Sequence, residues 1–141
     1  MCIRDSAEVA WALTTVSSAL GDPEVLTAQV AARLLAGLRD VELRDHVWFL
    51  LSRETAAAHL TLWSRLLRSA PEGFVTAPAT LTGFAAWLSG QGALAWCALD
   101  RCFDEEPGEP LAVALAWALV HAVPPSVWDE RAGGACFHDP A

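Results

Sequence analysis

The chain has 141 residues, a length that suits one domain with a hydrophobic core. Apolar residues make up 54% of it, which excludes an intrinsically disordered chain. The formal net charge is −8, so the chain lacks the basic footprint that general nucleic-acid binding requires. We therefore expect one folded domain that binds no nucleic acid.

The first six residues, Met1–Ser6 (MCIRDS), resemble a translated adapter sequence of the kind that contaminates metagenomic gene predictions. We interpret them as a non-native segment. The domain itself is predicted to span residues 7–128, as the C-terminal part of a longer protein. Residues 129–141, with Gly133-Gly134 and Asp139-Pro140, are predicted to form a flexible tail.

Apolar residues recur at helical spacing in four segments before Pro71, and none alternates as a strand would. Asp22, Asp40 and Ser52 stand where helix N-caps belong. The predicted helices cover residues 7–20, 23–37, 41–51 and 53–69.

Two further helices, residues 78–88 and 91–104, are predicted to form a hairpin hinged at Gly90-Gln91-Gly92. Pro78 suits a first helical turn, and Gly90 stands where a left-handed residue ends a helix. The second helix is apolar nearly all round, so we place it at the centre of the core. The acidic residues that follow are expected to form a solvated turn: Asp104, Glu105, Glu106 and Glu109.

A last helix is predicted to begin at Pro110 and to end at Pro124-Pro125. In the hairpin, a small residue, two apolar residues and a proline follow the spacing of the second helix of a tetratricopeptide repeat. These residues are Ala95, Leu99, Cys102 and Pro107. Only one such unit is present, so the prediction is an all-α fold of about seven helices in antiparallel pairs, with one tetratricopeptide-like hairpin.

A series of short motifs runs from Arg44 to Trp128. The motifs are Arg44-Asp45, Leu62-Trp63, Arg68–Pro71, Ala77–Ala79, Phe84–Trp87, Gly90–Ala95, Ala98–Arg101, Pro124-Pro125 and Trp128. Their order resembles the C-terminal part of an uncharacterised actinobacterial family, domain of unknown function 4192. Family members usually carry Asp where this chain has Gln91. The resemblance implies no activity, cofactor or catalytic residue.

No catalytic or metal-binding pattern stands out. His46 and His59 lack the HExxH spacing and a neighbouring nucleophile, so surface or capping roles are favoured over a site. His121 is expected to be a neutral core histidine. Cys136 and His138 lack the C-x-x-C pair of a zinc site, and the acidic cluster lacks the spacing of a calcium loop. We predict no cofactor and no metal.

The cysteines at positions 2, 97, 102 and 136 form no disulfide framework, which favours a reducing, cytoplasmic setting. Two uncharged stretches, residues 73–99 and 110–128, are long enough to cross a membrane but are interrupted by proline, glycine or histidine, so no membrane span is expected. Four tryptophans are assigned to the core and Trp128 to a partly exposed position. The core set is Trp63, Trp87, Trp96 and Trp117.

The favoured function is a non-catalytic helical interaction or structural module of a larger cytosolic protein. Its partner is expected to be another protein or the missing N-terminal part of the same one. The alternative is a small-molecule-binding or enzymatic domain that the missing part completes, with a Trp-lined pocket. The candidate ligand or partner surface comprises Arg44, Asp45, His46 and Trp128.

Overall fold

The computed structural model describes the backbone of residues 3–133 and the side chains of residues 5–130. Within this range all regular secondary structure is helical, which confirms the all-α prediction. Two 3₁₀ segments, Pro23–Val25 and Pro125–Gly133, accompany seven α-helices. The α-helices are α1 (Ile3–Gly21), α2 (Ala28–Gly37), α3 (Val41–Trp48), α4 (Ala56–Ser69), α5 (Thr76–Leu88), α6 (Gly92–Glu105) and α7 (Pro110–Val120).

At both ends of the described range, helical structure extends beyond the predicted helices. Helix α1 begins at Ile3, so it includes part of the segment interpreted as non-native. The second 3₁₀ segment runs into the predicted tail, where Asp129 forms an ion pair with Arg53 at 2.7 Å. Residues 134–141 lie outside the described part of the chain.

The second predicted helix is split because the chain uses two N-caps in succession. The Asp22 carboxylate accepts a hydrogen bond from the Glu24 N–H at 3.1 Å and begins only the first 3₁₀ segment. The Thr27 hydroxyl then accepts from the Val30 N–H at 3.2 Å and begins α2. An N-cap residue has extended backbone, so the helix cannot run through Thr27.

Helix α5 lies at the centre of the fold, and the prediction that α6 does so is wrong. Every residue of α5 from Ala77 to Leu88 is buried, and the helix packs against both α4 and α6. In α6, Leu94 and Trp96 are each 38% exposed. Both helices are rich in apolar residues, but α5 has no charged side chain whereas α6 carries several, which require a solvated face.

The turn between α5 and α6 confirms the prediction for Gly90. Its φ is +77°, its N–H donates to the Trp87 carbonyl at 2.9 Å, and the Gln91 N–H donates to the Ala86 carbonyl at 2.8 Å. These two bonds define a Schellman motif, in which a left-handed residue satisfies the last carbonyls of a helix.

The same motif ends α7 with a residue that is not glycine. Ala122 has a φ of +52°, its N–H donates to Leu119, and the Val123 N–H donates to Ala118 at 2.9 Å. A left-handed alanine costs on the order of 1 kcal/mol. The turn directs the Val123 carbonyl to the Trp87 indole N–H, which donates to it at 3.2 Å. Helix α7 therefore ends at Val120, before the predicted stop at Pro124-Pro125.

Candidate functional site

The four residues predicted to form a surface lie in different environments. Arg44 is 7% exposed, and its neighbour Asp45 is half-buried. His46 is exposed, with Nδ1 placed 2.8 Å from the Glu42 carbonyl of its own helix. Trp128 is only 2% exposed and lies in the core. The structure thus brings Arg44 and Asp45 together and gives His46 and Trp128 separate roles.

Arg44 is the centre of a buried charge network. Its Nε and Nη2 donate to one oxygen of Asp45, at 3.3 and 2.9 Å, and its Nη1 donates to Glu109. Glu109 is 1% exposed, and its second oxygen accepts from the Ala112 N–H at 2.7 Å, so it is the N-cap of α7. The network therefore ties α3 to the start of α7. Its charges tolerate burial because each is paired and hydrogen-bonded.

Glu105, at the end of α6, caps the start of α5 from outside that helix. Its carboxylate accepts from the N–H groups of Gly73, Val75 and Thr76, at 2.7, 3.1 and 2.9 Å, and from the Thr76 hydroxyl. Desolvation raises the pKa of Glu105, but the hydrogen bonds to Thr76, Gly73 and Val75 outweigh it, and the pKa is lowered. The expectation of a simply solvated acidic turn is therefore wrong for Glu105 and Glu109.

A cavity of about 300 Å³ lies beside this network, between the ends of α2 and α6 and the starts of α3 and α5. The Arg39 guanidinium lies over the Phe74 ring at its rim, 4.9 Å from the ring centroid. No tryptophan lines the cavity, so it is not the Trp-lined pocket that the alternative function predicted. Its walls are formed by Leu35, Leu38, Arg39, Val41, Arg44, Gly73, Phe74, Thr76, Ala77, Glu105 and Glu106.

Trp128 belongs to a buried aromatic cluster, so its predicted partial exposure is wrong. Its ring centroid lies 4.9 Å from that of Trp48 and 5.6 Å from that of Phe84. Its indole N–H donates to the Leu51 carbonyl at 2.8 Å. The 3₁₀ segment that carries Trp128 folds back onto the core, where an indole with a bonded N–H is fully accommodated. Trp63 and Trp87 are buried as predicted.

Helix α7 presents an apolar row to solvent. Val113, Trp117 and Val120, which we call the α7 row, are 43%, 43% and 68% exposed. Their i, i+4, i+7 spacing places them on one face. His121 stacks on Trp117 with ring centroids 4.3 Å apart and is exposed, so the predictions of core positions for Trp117 and His121 are wrong. Trp96, another predicted core residue, is also partly exposed.

Two further titratable groups, His59 and Cys102, are buried in the core. Burial lowers the pKa of His59 to about 4, with the Leu50 carbonyl opposing the effect, and its Nδ1 accepts from the Trp63 indole at 3.1 Å. His59 is therefore a neutral core residue at pH 7, where a surface or capping role was expected. Burial also raises the pKa of Cys102 to about 11, which makes it a poor nucleophile. Cys97 is exposed on another face of α6.

Within the described residues, no three His, Cys, Asp or Glu side chains are arranged to hold a metal ion. Cys136 and His138 lie outside that range. Among the described helices, none combines the length and apolar character needed to cross a bilayer.

The sequence analysis did not predict that Glu109 belongs to the Arg44 network, or that Glu105 and Arg39 line the neighbouring cavity. Glu109 had a usable signal, because it precedes Pro110 at the first position of a helix, where an N-cap acceptor is expected. The role of Glu105 and the stacking of Arg39 had no local signal, because their partners lie about thirty residues away along the chain.

These features define an all-α domain with a buried ion-pair network, a small polar cavity and an exposed apolar helix face. The chain belongs to the family described as domain of unknown function (DUF4192), whose family model matches residues 2–126. The similarity noted from Arg44 onward therefore extends over α1 and α2 as well. No curated protein matches this chain. No solved structure matches it either.

Proposed function

We propose that the domain is a non-catalytic helical interaction module that binds an apolar helix face of a partner protein on the α7 row. One observation carries the proposal: the outward face of α7 is apolar at Val113, Trp117 and Val120, each at least 43% exposed. Single exposed apolar residues are common on protein surfaces, whereas a contiguous apolar row is typical of an interaction site.

The charge pattern supports the same surface. The sequence from Pro110 to Trp128 contains no Asp, Glu, Lys or Arg, although the chain as a whole carries a net charge of −8. A partner can approach α7 without the repulsion that the rest of an acidic surface imposes on anionic molecules. Contacts there are dominated by apolar burial, so binding is expected to change little with salt concentration.

The geometry of the row supports a helix as the occupant. Side chains at i, i+4 and i+7 form a ridge that fits the groove between ridges of a second helix. Recognition through such anchors is a common mode of protein interaction, and an exposed Trp is frequent among the residues that dominate binding energy. We assign the module to the cytoplasm as part of a larger protein, a setting in which Cys97 and Cys102 remain reduced.

Site-specific photo-cross-linking in the organism that encodes the protein tests the proposal. A photoreactive amino acid at Val120 is expected to yield a discrete adduct with one partner protein. The matched control carries the same amino acid at Val41, an apolar residue on α3 that is 59% exposed. Identical adduct patterns from both positions, or none from Val120, would refute the proposal. An adduct of twice the mass of the chain would identify a second copy instead of a different protein.

A further inference from the structure

The cavity between α2, α3, α5 and α6 is bordered by two charged groups, Arg39 and Glu106, that form no ion pair with the described side chains. Arg39 is exposed, and among residues 5–130 it makes no ion pair. Its guanidinium is held over the Phe74 ring, a contact that positions the group without using its N–H donors. The donors of Arg39 are therefore available to an anionic group at the rim.

Glu106 supplies the opposite charge. It lines the same cavity and is exposed, and within the described side chains it forms no ion pair. Its neighbour Glu105 differs, because its carboxylate already accepts hydrogen bonds from the start of α5. The cavity thus offers one free guanidinium and one free carboxylate.

The rest of the wall is mostly apolar or already paired. Val41, which is 59% exposed, and half-buried Phe74 supply accessible apolar surface. Leu35, Leu38 and Ala77 also border the cavity but are only 2% to 8% exposed. Arg44 also borders the cavity, but its charge is offset by Asp45 and Glu109. A volume of about 300 Å³ is at the small end of ligand sites in proteins.

We infer that this cavity binds a small zwitterion, an α-amino acid with an apolar side chain. Arg39 binds its carboxylate, Glu106 binds its ammonium group, and the apolar side chain packs against Val41 and Phe74. This site is separate from the α7 row, so either proposal can fail without the other.

The surrounding charges disfavour simpler ligands. A ligand with only a carboxylate can pair with Arg39 but is repelled by the unpaired Glu106. A ligand with only an ammonium group can pair with Glu106 but is repelled by the unpaired Arg39. A zwitterion satisfies both free charges at once, and its apolar side chain covers the exposed part of the cavity wall.

Titration of the purified full chain with L-leucine, followed by backbone amide NMR shifts, tests the inference. L-Phenylalanine, L-methionine and L-valine complete the panel of probes. Saturable shifts are expected at Gly73, Phe74, Thr76 and Ala77, with a dissociation constant below about 10 mM. The single-charge analogues 4-methylpentanoate and 3-methylbutylamine are expected to bind at least about tenfold more weakly. Equal binding of either analogue, or no saturable shift with any of the four amino acids, would overturn the inference.

Matched variants locate the binding groups. Arg39→Gln and Glu106→Gln alter exposed side chains, and each is expected to weaken leucine binding about tenfold. The controls Arg68→Gln and Asp104→Asn remove exposed charges that do not line the cavity, and they are expected to change binding less than about twofold. Binding that is equally strong in Arg39→Gln and Arg68→Gln would contradict the assignment.

Discussion

Charged side chains are usually exposed and apolar ones buried, and helix α7 departs from this rule in both directions. Glu109, the N-cap, carries a charge and is 1% exposed. Val120, at the other end, is apolar and 68% exposed. Burial of Glu109 is compensated within the fold by Arg44 and the Ala112 N–H, whereas the side chains of the α7 row remain 43% to 68% exposed. The comparison separates a polar group that the fold neutralises from apolar groups for which we propose a role in binding.

The largest expected effect is on the buried charge network. Glu109→Ala is predicted to lower the free energy of unfolding by about 3–5 kcal/mol, because it leaves the Arg44 charge buried with Asp45 as its remaining partner and removes the cap of α7. Urea denaturation followed by circular dichroism measures the change. Glu106→Ala, which removes an exposed carboxylate nearby, is expected to cost less than about 0.5 kcal/mol. Equal costs for the two variants would show that the network contributes nothing to stability.

A second buried polar group makes the stability depend on pH. The pKa of His59 is about 4 in the folded chain and near 6.5 when unfolded, so the unfolded state binds a proton first as the pH falls. The contribution of neutral His59 is complete above pH 6.5 and is lost between pH 6.5 and 4, on the order of 3 kcal/mol in total.

The difference between wild type and His59→Gln isolates this effect, since Gln can still accept the Trp63 hydrogen bond and does not titrate. Unfolding free energies measured at several pH values between 6.5 and 4 should fall more steeply for the wild type. Parallel curves for the two proteins would contradict the assignment of His59 as a buried neutral group.

The cap that Glu105 supplies to α5 is expected to contribute less. Glu105→Ala should lower the free energy of unfolding by about 1–2 kcal/mol, because N–H groups of the 73–76 turn lose their acceptor. Because folding lowers the pKa of Glu105, its stabilising contribution is fully present above the unfolded pKa of 4.5. The contribution is lost as the pH falls through the folded pKa. Chemical denaturation at pH 7 measures the change in the free energy of unfolding. Asp104→Ala, an exposed acidic neighbour, is the control, and a cost as large as that of Glu105→Ala would contradict the capping role.

The smallest effect on stability is expected at the α7 row. The double variant Trp117→Gln with Val120→Gln should change the free energy of unfolding by less than about 1 kcal/mol, because both side chains already contact solvent. Leu115→Ala on the buried face of the same helix is the contrasting control and should cost about 2–5 kcal/mol. Thermal and urea unfolding of the three proteins give the comparison. A loss in the double variant comparable to that of Leu115→Ala would assign the row to the fold.

The sequence was sufficient for the helical class and for several helix ends. Asp40 caps α3, Pro110 begins α7 and Gly90 ends α5, because each acts through bonds to residues a few positions away. Local chemistry of this kind is visible in the sequence alone. The same holds for buried Trp63 and Trp87, which lie on clear apolar faces.

The buried charge network and the exposed helix faces were harder to predict, because they depend on contacts between residues that are distant along the chain. Arg44 and Glu109 are 65 positions apart, and neither residue alone indicates a buried pair. Helix α7 has no charged residue on any side, so helical periodicity does not reveal which of its faces is covered, and Trp117 was wrongly assigned to the core. Trp128 was wrongly assigned to a partly exposed position, because its burial depends on Trp48, Phe84 and Leu51, which are distant along the chain.

The most direct test of partner binding by the α7 row is the photo-cross-linking yield from Val113 in the Trp117→Gln and Val120→Gln double variant. Val113 remains exposed beside the two substituted positions, and the variant is expected to stay folded. If the α7 row binds a partner helix, the yield of the partner adduct falls by about tenfold or more relative to the unsubstituted row, since loss of an aromatic anchor removes a large share of binding energy. An undiminished yield in the folded variant would show that the partner does not bind through this row.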